Sequence, residues 1–152
     1  MSMDITKYFS ADHDRLDIIL EASEKEMVAG NGKALDYFTT FKNGLKKHID
    51  WEEEILFPLF EKKLNIFSMG PTQVMRLEHQ KIINILTQIE MVLSQQQSDP
   101  DLFMALKTLL QSHNIKEQSI LYPAIDEKLS KTEIADIFSS MAELPEVDDC
   151  GI

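Results

Sequence analysis

Two segments of the chain repeat one pattern of chemically capable residues. The first is His48-x-x-x-Glu52, followed by Ile55-Leu56-Phe57 and Pro58. The second is His113-x-x-x-Glu117, followed by Ile120-Leu121-Tyr122 and Pro123. With only four His and five Pro in the chain, chance is a poor account of the match. The other two histidines keep nearly the same offset, His13 ahead of His48 and His79 ahead of His113. Each half therefore reads His … His-x-x-x-Glu. On a helix, positions i and i+4 share a face, with Cβ atoms roughly 5–6 Å apart. Two imidazoles and one carboxylate from each half, converging, would form the ligand set of a pair of metal ions.

Such convergence needs elements that aim all six side chains inward. Apolar residues recur at three-to-four spacing nearly throughout, and no stretch alternates as a strand does. The pattern predicts a first helix from Ser10 to Val28, with Ser10 as its N-cap and Gly30-Asn31-Gly32 as its stop. Its inner stripe is His13, Leu16, Leu20, Ser23 and Met27. A second helix is predicted from Ala34 to Leu64, with the stripe Leu35, Phe38, Phe41, Leu45, His48, Glu52, Ile55 and Leu59. Pro58 inside it should kink the helix or end its regular part. A third opens at Pro71, with the stripe Met75, His79, Ile82, Leu86, Ile89 and Leu93. A fourth starts at Asp99-Pro100, with the stripe Leu102, Leu106, Leu109, His113, Glu117, Ile120 and Ala124. A short fifth helix is expected from Ser130, with Glu133 completing a capping box. The fold class is all-α: an up-down-up-down four-helix bundle with a short C-terminal fifth helix. Residues 1–144 are expected to form the bundle domain and 145–152 a flexible tail. Each of the four long helices then offers one imidazole to the bundle axis.

Bulk properties exclude several alternatives. A net charge of −11 leaves no basic stripe for nucleic acid or an anionic membrane surface. No run approaches the roughly 18 apolar residues of a membrane span, and no signal-peptide core is present. The single cysteine, Cys150, cannot form an internal disulfide, so a cytoplasmic location is expected.

One His on an apolar stripe is more often a satisfied core residue than a ligand. Glu52 and Glu117 on the same faces weaken that reading, because Glu is almost never fully buried unless paired. Two buried His–Glu ion pairs would satisfy these groups without metal; repetition in both halves, on every long helix, favours metal. Glu53 and Glu54 are expected to face solvent. Asp17 and Glu78 are candidates to orient a ligand imidazole, with a solvated role the commoner one. Trp51, Phe57 and Tyr122 read as core or packing around the site.

At these residues the chain resembles the hemerythrin-like, or HHE cation-binding, family. The carrying motifs are Asp12-His13, His48-x-x-x-Glu52 with Leu56-Phe57-Pro58, Glu78-His79, and His113-x-x-x-Glu117 with Leu121-Tyr122-Pro123. The resemblance implies a di-iron centre with a bridging solvent, carboxylate bridges from Glu52 and Glu117, and terminal ligands His13, His48, His79 and His113. Manganese or zinc suit the same donors. Oxygen-carrying hemerythrins use a further His one turn from the third-helix His, where this chain has Met75 and Ile83. Each metal would then have two His and two bridging oxygens and keep an exchangeable position. Ferritin-like Glu-x-x-His signatures are absent: Ser10, Leu45, Arg76 and Leu110 stand three residues before the four His. A related family that repairs iron–sulfur centres carries an additional cysteine-containing N-terminal domain, which is not expected here. The functional expectation is a di-iron protein that binds or senses dioxygen or nitric oxide. The alternatives are a di-iron oxidase, peroxidase or nitric-oxide-processing enzyme, and an iron storage or delivery protein. No protein partner is legible.

Overall fold

The computed structural model describes residues 4–66 and 70–144. The expected tail and Cys150 lie outside the described residues. The chain folds into α1 (Ile5–Val28), α2 (Lys33–Trp51), α3 (Phe57–Leu64), α4 (Pro71–Ser94), α5 (Pro100–Lys116), α6 (Tyr122–Lys128) and α7 (Lys131–Glu143). A five-residue π-helical turn, Glu52–Leu56, joins α2 to α3, and a second, Glu117–Leu121, joins α5 to α6. The helical rod is continuous through both turns. Four long rods therefore form the up-down-up-down bundle, and α7 is the C-terminal addition. Around the bundle, α1 packs on α2, α2 on α4, α4 on α5, and α5 and α6 back on α1.

Local chemistry sets most boundaries. The first helix starts at Ile5, not Ser10. Asp4 caps it by accepting from the Lys7 backbone N–H. Asp126 of α6 accepts from the Ile5 and Thr6 N–H groups and the Thr6 hydroxyl. That second cap comes from far along the chain. It ties the start of α1 to α6 and adds Ile5 and Phe9 to the buried stripe. Asn65, in the left-handed region at φ 55°, stops α3. Ser130 and Glu133 form the predicted capping box of α7.

The regular α-helix ends ahead of each proline, at Trp51 before Pro58 and at Lys116 before Pro123, while the rod itself continues. Pro58 and Pro123 each stand two residues past a π turn, whose extra residue widens the backbone where the proline supplies no N–H. In each, the carbonyl of the motif glutamate accepts from five residues on: Phe57 N–H to Glu52 O, and Tyr122 N–H to Glu117 O. The extra residue also rotates the inner face by one position. Leu56, Phe57 and Phe60 are buried, where even helical spacing predicted Ile55 and Leu59. Likewise Leu121, Tyr122 and Ile125 are buried, whereas the predicted Ile120 is 63% exposed.

The core falls into two apolar clusters. One gathers Leu16, Leu20, Phe38, Phe41, Ile82, Leu86, Phe103, Leu106 and their neighbours. The other gathers Ile5, Phe9, Leu56, Phe57, Tyr122 and Ile125, covered by Ile137 and Met141 of α7. Between them each rod carries a buried histidine, His13, His48, His79 or His113, and the second and fourth rods add Glu52 and Glu117 one turn further on.

Candidate metal centre

That polar layer brings all six predicted residues together. His13, His48, His79 and His113 are buried, and Glu52 and Glu117 have no exposed surface. The donor atoms form two groups, each within 4.8 Å: Glu52, His79, His113 and Glu117, and His13, His48 and Glu117. Glu117 belongs to both. Its Oε1 lies 3.1 Å from His13 Nε2 and its Oε2 lies 3.2 Å from His113 Nε2. Glu52 spans the same two halves, with Oε2 3.6 Å from His48 Nε2 and Oε1 3.2 Å from His79 Nε2. Each carboxylate thus offers one oxygen to each side, which is the disposition of a bridge.

Every imidazole turns Nε2 inward because its Nδ1 is engaged by the next rod. Asp12 of α1 takes His48 at 2.8 Å, and Glu53 of the first π turn takes His79 at 2.5 Å. Glu78 of α4 takes His113 at 2.9 Å, and Gln118 of the second π turn meets His13 at 2.9 Å. Each partner stands next in sequence to one of the six: Asp12 to His13, Glu53 to Glu52, Glu78 to His79, Gln118 to Glu117. The contacts therefore run in a closed ring round the bundle. A partner on Nδ1 fixes the tautomer and orientation that leave Nε2 free to bind metal. For His13 this requires the oxygen of the Gln118 amide to accept. Arg15 holds Asp12 and Lys116 holds Glu78.

Three expectations about neighbouring residues need correction. Glu53 does not face solvent: the π turn swings it towards α4, where it bonds His79. Glu78, for which a solvated role was the commoner expectation, bonds the His113 imidazole of the adjacent rod. Tyr122 is more than packing. Its hydroxyl donates into the carboxylate pair, 2.5 Å from Glu52 Oε2 and 2.9 Å from Glu117 Oε1. The same oxygen lies 3.2 Å from His48 Nε2 and 3.4 Å from His13 Nε2. Glu54 and Asp17 are exposed, as expected. Asp12 was legible only as a motif neighbour; without helix order round the bundle, no signal assigned it to His48.

Burial and charge oppose each other throughout the layer. Burial disfavours charge on His48 and His79. The Glu52 charge with the Asp12 bond outweighs burial at His48, and the nearby Glu117 and Glu52 carboxylates with the Glu53 bond outweigh it at His79. They push His48 up to about 10 and His79 up to about 11. His113 is raised in the same way, against burial, by Glu117. Burial would raise Glu117, but its close neighbours, Glu52, His113, His13 and His79, hold it well below the usual carboxylate range. Burial and the two carboxylates push Tyr122 well up.

Metal suits this donor set on a further ground. Glu52 Oε1, Glu117 Oε2 and His79 Nε2 are buried with no hydrogen-bond partner. Buried polar atoms are nearly always satisfied, and these three point into one space bounded by His79 and His113. A cation there would satisfy all three at once. Two buried His/Glu clusters that share a carboxylate are the arrangement of a dinuclear site.

The comparisons agree with the geometry. The iron-sulfur cluster repair protein YtfE of Escherichia coli O81 (strain ED1a) is 26% identical over 135 residues, covering 78% of this chain and 61% of that protein. YtfE proteins of Escherichia coli (strain K12 / DH10B) and Shigella boydii serotype 18 are 25% identical over the same coverage. The chain thus spans about three-fifths of the length of these curated relatives. No solved structure matches it. The hemerythrin HHE cation binding domain matches residues 4–125, from the cap of α1 into α6 and across every residue of the buried layer, and the chain belongs to that family.

Proposed function

We propose that His13, His48, Glu52, His79, His113 and Glu117 hold two iron ions, and that the protein binds or senses dioxygen or nitric oxide there. The observation that carries this reading is the pair of buried donor groups sharing Glu117, with three donor atoms that make no hydrogen bond. Imidazole and carboxylate donors suit iron, manganese and zinc alike. Family membership and the iron chemistry named for the relatives favour iron.

Bound iron would supply redox-active coordination positions for a small diatomic ligand. The chain's own residues do the rest. The ring of Nδ1 partners holds four imidazoles in one orientation. Phe9 packs edge-on against His48 and Phe57 stacks on His79, which keeps bulk water from the layer. Two carboxylates supply negative charge where the cations would sit. Outside these groups, no described residue stands out as a dedicated acid or base, which favours binding over catalysis. A second reading, iron delivery to damaged iron–sulfur centres, is supported by the likeness to the YtfE iron-sulfur cluster repair proteins.

Anaerobic loading with ferrous iron tests both readings. Elemental analysis should give close to two irons per chain, and a value of one or below at saturation would refute the paired site. Optical spectra recorded on adding oxygen, then nitric oxide, should show a reversible adduct. Loss of iron to an acceptor protein without any adduct would instead establish delivery.

A further inference from the structure

We propose that the Tyr122 hydroxyl is a fifth protein donor to the metal position bounded by His13 and His48. The two positions are then unequal, and the one bounded by His79 and His113 is left open to a small ligand. The inference rests on the six-residue reading above. It departs from an even sharing of donors, in which both metals keep an exchangeable position.

The geometry around the hydroxyl carries it. Tyr122 Oη lies 2.5, 2.9, 3.2 and 3.4 Å from Glu52 Oε2, Glu117 Oε1, His48 Nε2 and His13 Nε2. With metal bonds of about 2.1 Å, two donors at a right angle stand ~3.0 Å apart and two at a tetrahedral angle ~3.4 Å apart. The hydroxyl therefore keeps, from nearly all its neighbours, the separation of ligands sharing one cation. It is also fully buried. One hydroxyl proton serves at most one or two acceptors, whereas four donor-type atoms surround this oxygen. Coordination would replace the phenol O–H bond with an O–metal bond and release one proton to the buffer, as a cation reverses the local preference for the neutral form.

The internal repeat supplies the comparison. Leu56-Phe57-Pro58 and Leu121-Tyr122-Pro123 occupy equivalent places where the two π turns pass into α3 and α6. Phe57 stands against the opposite half, its ring stacked on His79 with centroids 6.1 Å apart and planes 6° apart. A phenyl ring brings no donor. Among the six His and Glu residues of the layer, the buried atoms without a hydrogen bond are Glu52 Oε1, Glu117 Oε2 and His79 Nε2, and all three face that half. One oxygen atom breaks the symmetry of the repeat, and it decides which position is filled by protein.

Ferric iron bound by a phenolate has an intense visible charge-transfer band and characteristic phenolate modes in resonance Raman spectra. The full chain, loaded to two ferric ions, should show both signatures. Tyr122→Phe should lose both while still binding two irons. Adding Phe57→Tyr to Tyr122→Phe should restore a phenolate band at the other position. Two bound irons with no band in the wild-type protein would overturn this inference and leave the six-residue site standing. A band that persists in Tyr122→Phe would overturn it equally. Failure of the wild-type protein to bind two irons at saturation would overturn the six-residue site, and this inference with it.

Discussion

Replacing Glu53 with Gln should weaken metal binding, although Glu53 is not among the six inward-facing donors and is 25% exposed. Its carboxylate accepts from His79 Nδ1 at 2.5 Å, and His79 Nε2 is one of the unpartnered atoms of the buried layer. A carboxylate on Nδ1 raises the basicity of Nε2 and fixes the ring plane. Removing such a partner costs 10–100-fold in metal affinity, about 1.4–2.7 kcal/mol. The Gln amide oxygen still accepts the hydrogen bond but carries no charge, so the loss should lie near the tenfold end. Glu53→Ala, which removes the acceptor, should approach the hundredfold end. Glu54, next along the chain, is exposed and has no contact with an imidazole, so Glu54→Gln should stay within twofold of wild type. The assay is competition for ferrous or zinc ion against a chromophoric chelator, at fixed pH and ionic strength. Equal losses in Glu53→Gln and Glu54→Gln would show only a general charge effect of this acidic chain. No loss in Glu53→Ala would refute the role assigned to the π turn.

Glu117→Gln should lower occupancy of both metal positions together, because Glu117 gives one oxygen to each; loss of a single metal, measured by elemental analysis, would deny the bridge. Metal removal should lower the thermal midpoint with little change in far-ultraviolet helicity, since the two apolar clusters persist. Each site adds about 2.7 kcal/mol at a hundredfold excess of metal over its dissociation constant, so equal midpoints for loaded and metal-free protein would contradict a buried site. His48 at about 10 and His79 at about 11 stand above the free imidazole value of about 6.5. Their contribution to metal-free stability is therefore complete below about pH 6.5 and lost as pH rises through 10–11. Metal requires neutral imidazole, so binding at pH 7 should release protons, and affinity should rise with pH. Calorimetric titrations in buffers of different ionisation enthalpy measure that release, and identical enthalpies in all buffers would refute it.

The sequence alone determined which six His and Glu residues share the buried layer, the number of long helices and the bundle. These follow from short-range rules: His and Glu four apart share a face, and apolar stripes at helical period demand a common core. It did not determine what lies one residue away. The change from α to π period at Glu52 and Glu117 shifts the inner face from Ile55 and Ile120 to Leu56 and Leu121, and no even periodicity announces an extra residue in a turn. The start of α1 at Ile5 depends on Asp126, a cap that exists only once α6 lies beside it. The assignments of Asp12 to His48, Glu53 to His79, Glu78 to His113 and Gln118 to His13 required knowing which helix neighbours which. The place of the Tyr122 hydroxyl among four donor atoms required the π turn and the helix order together. Facing is a property of one helix and is written in spacing; partnership between helices belongs to the packed bundle, and only the tertiary structure decided it.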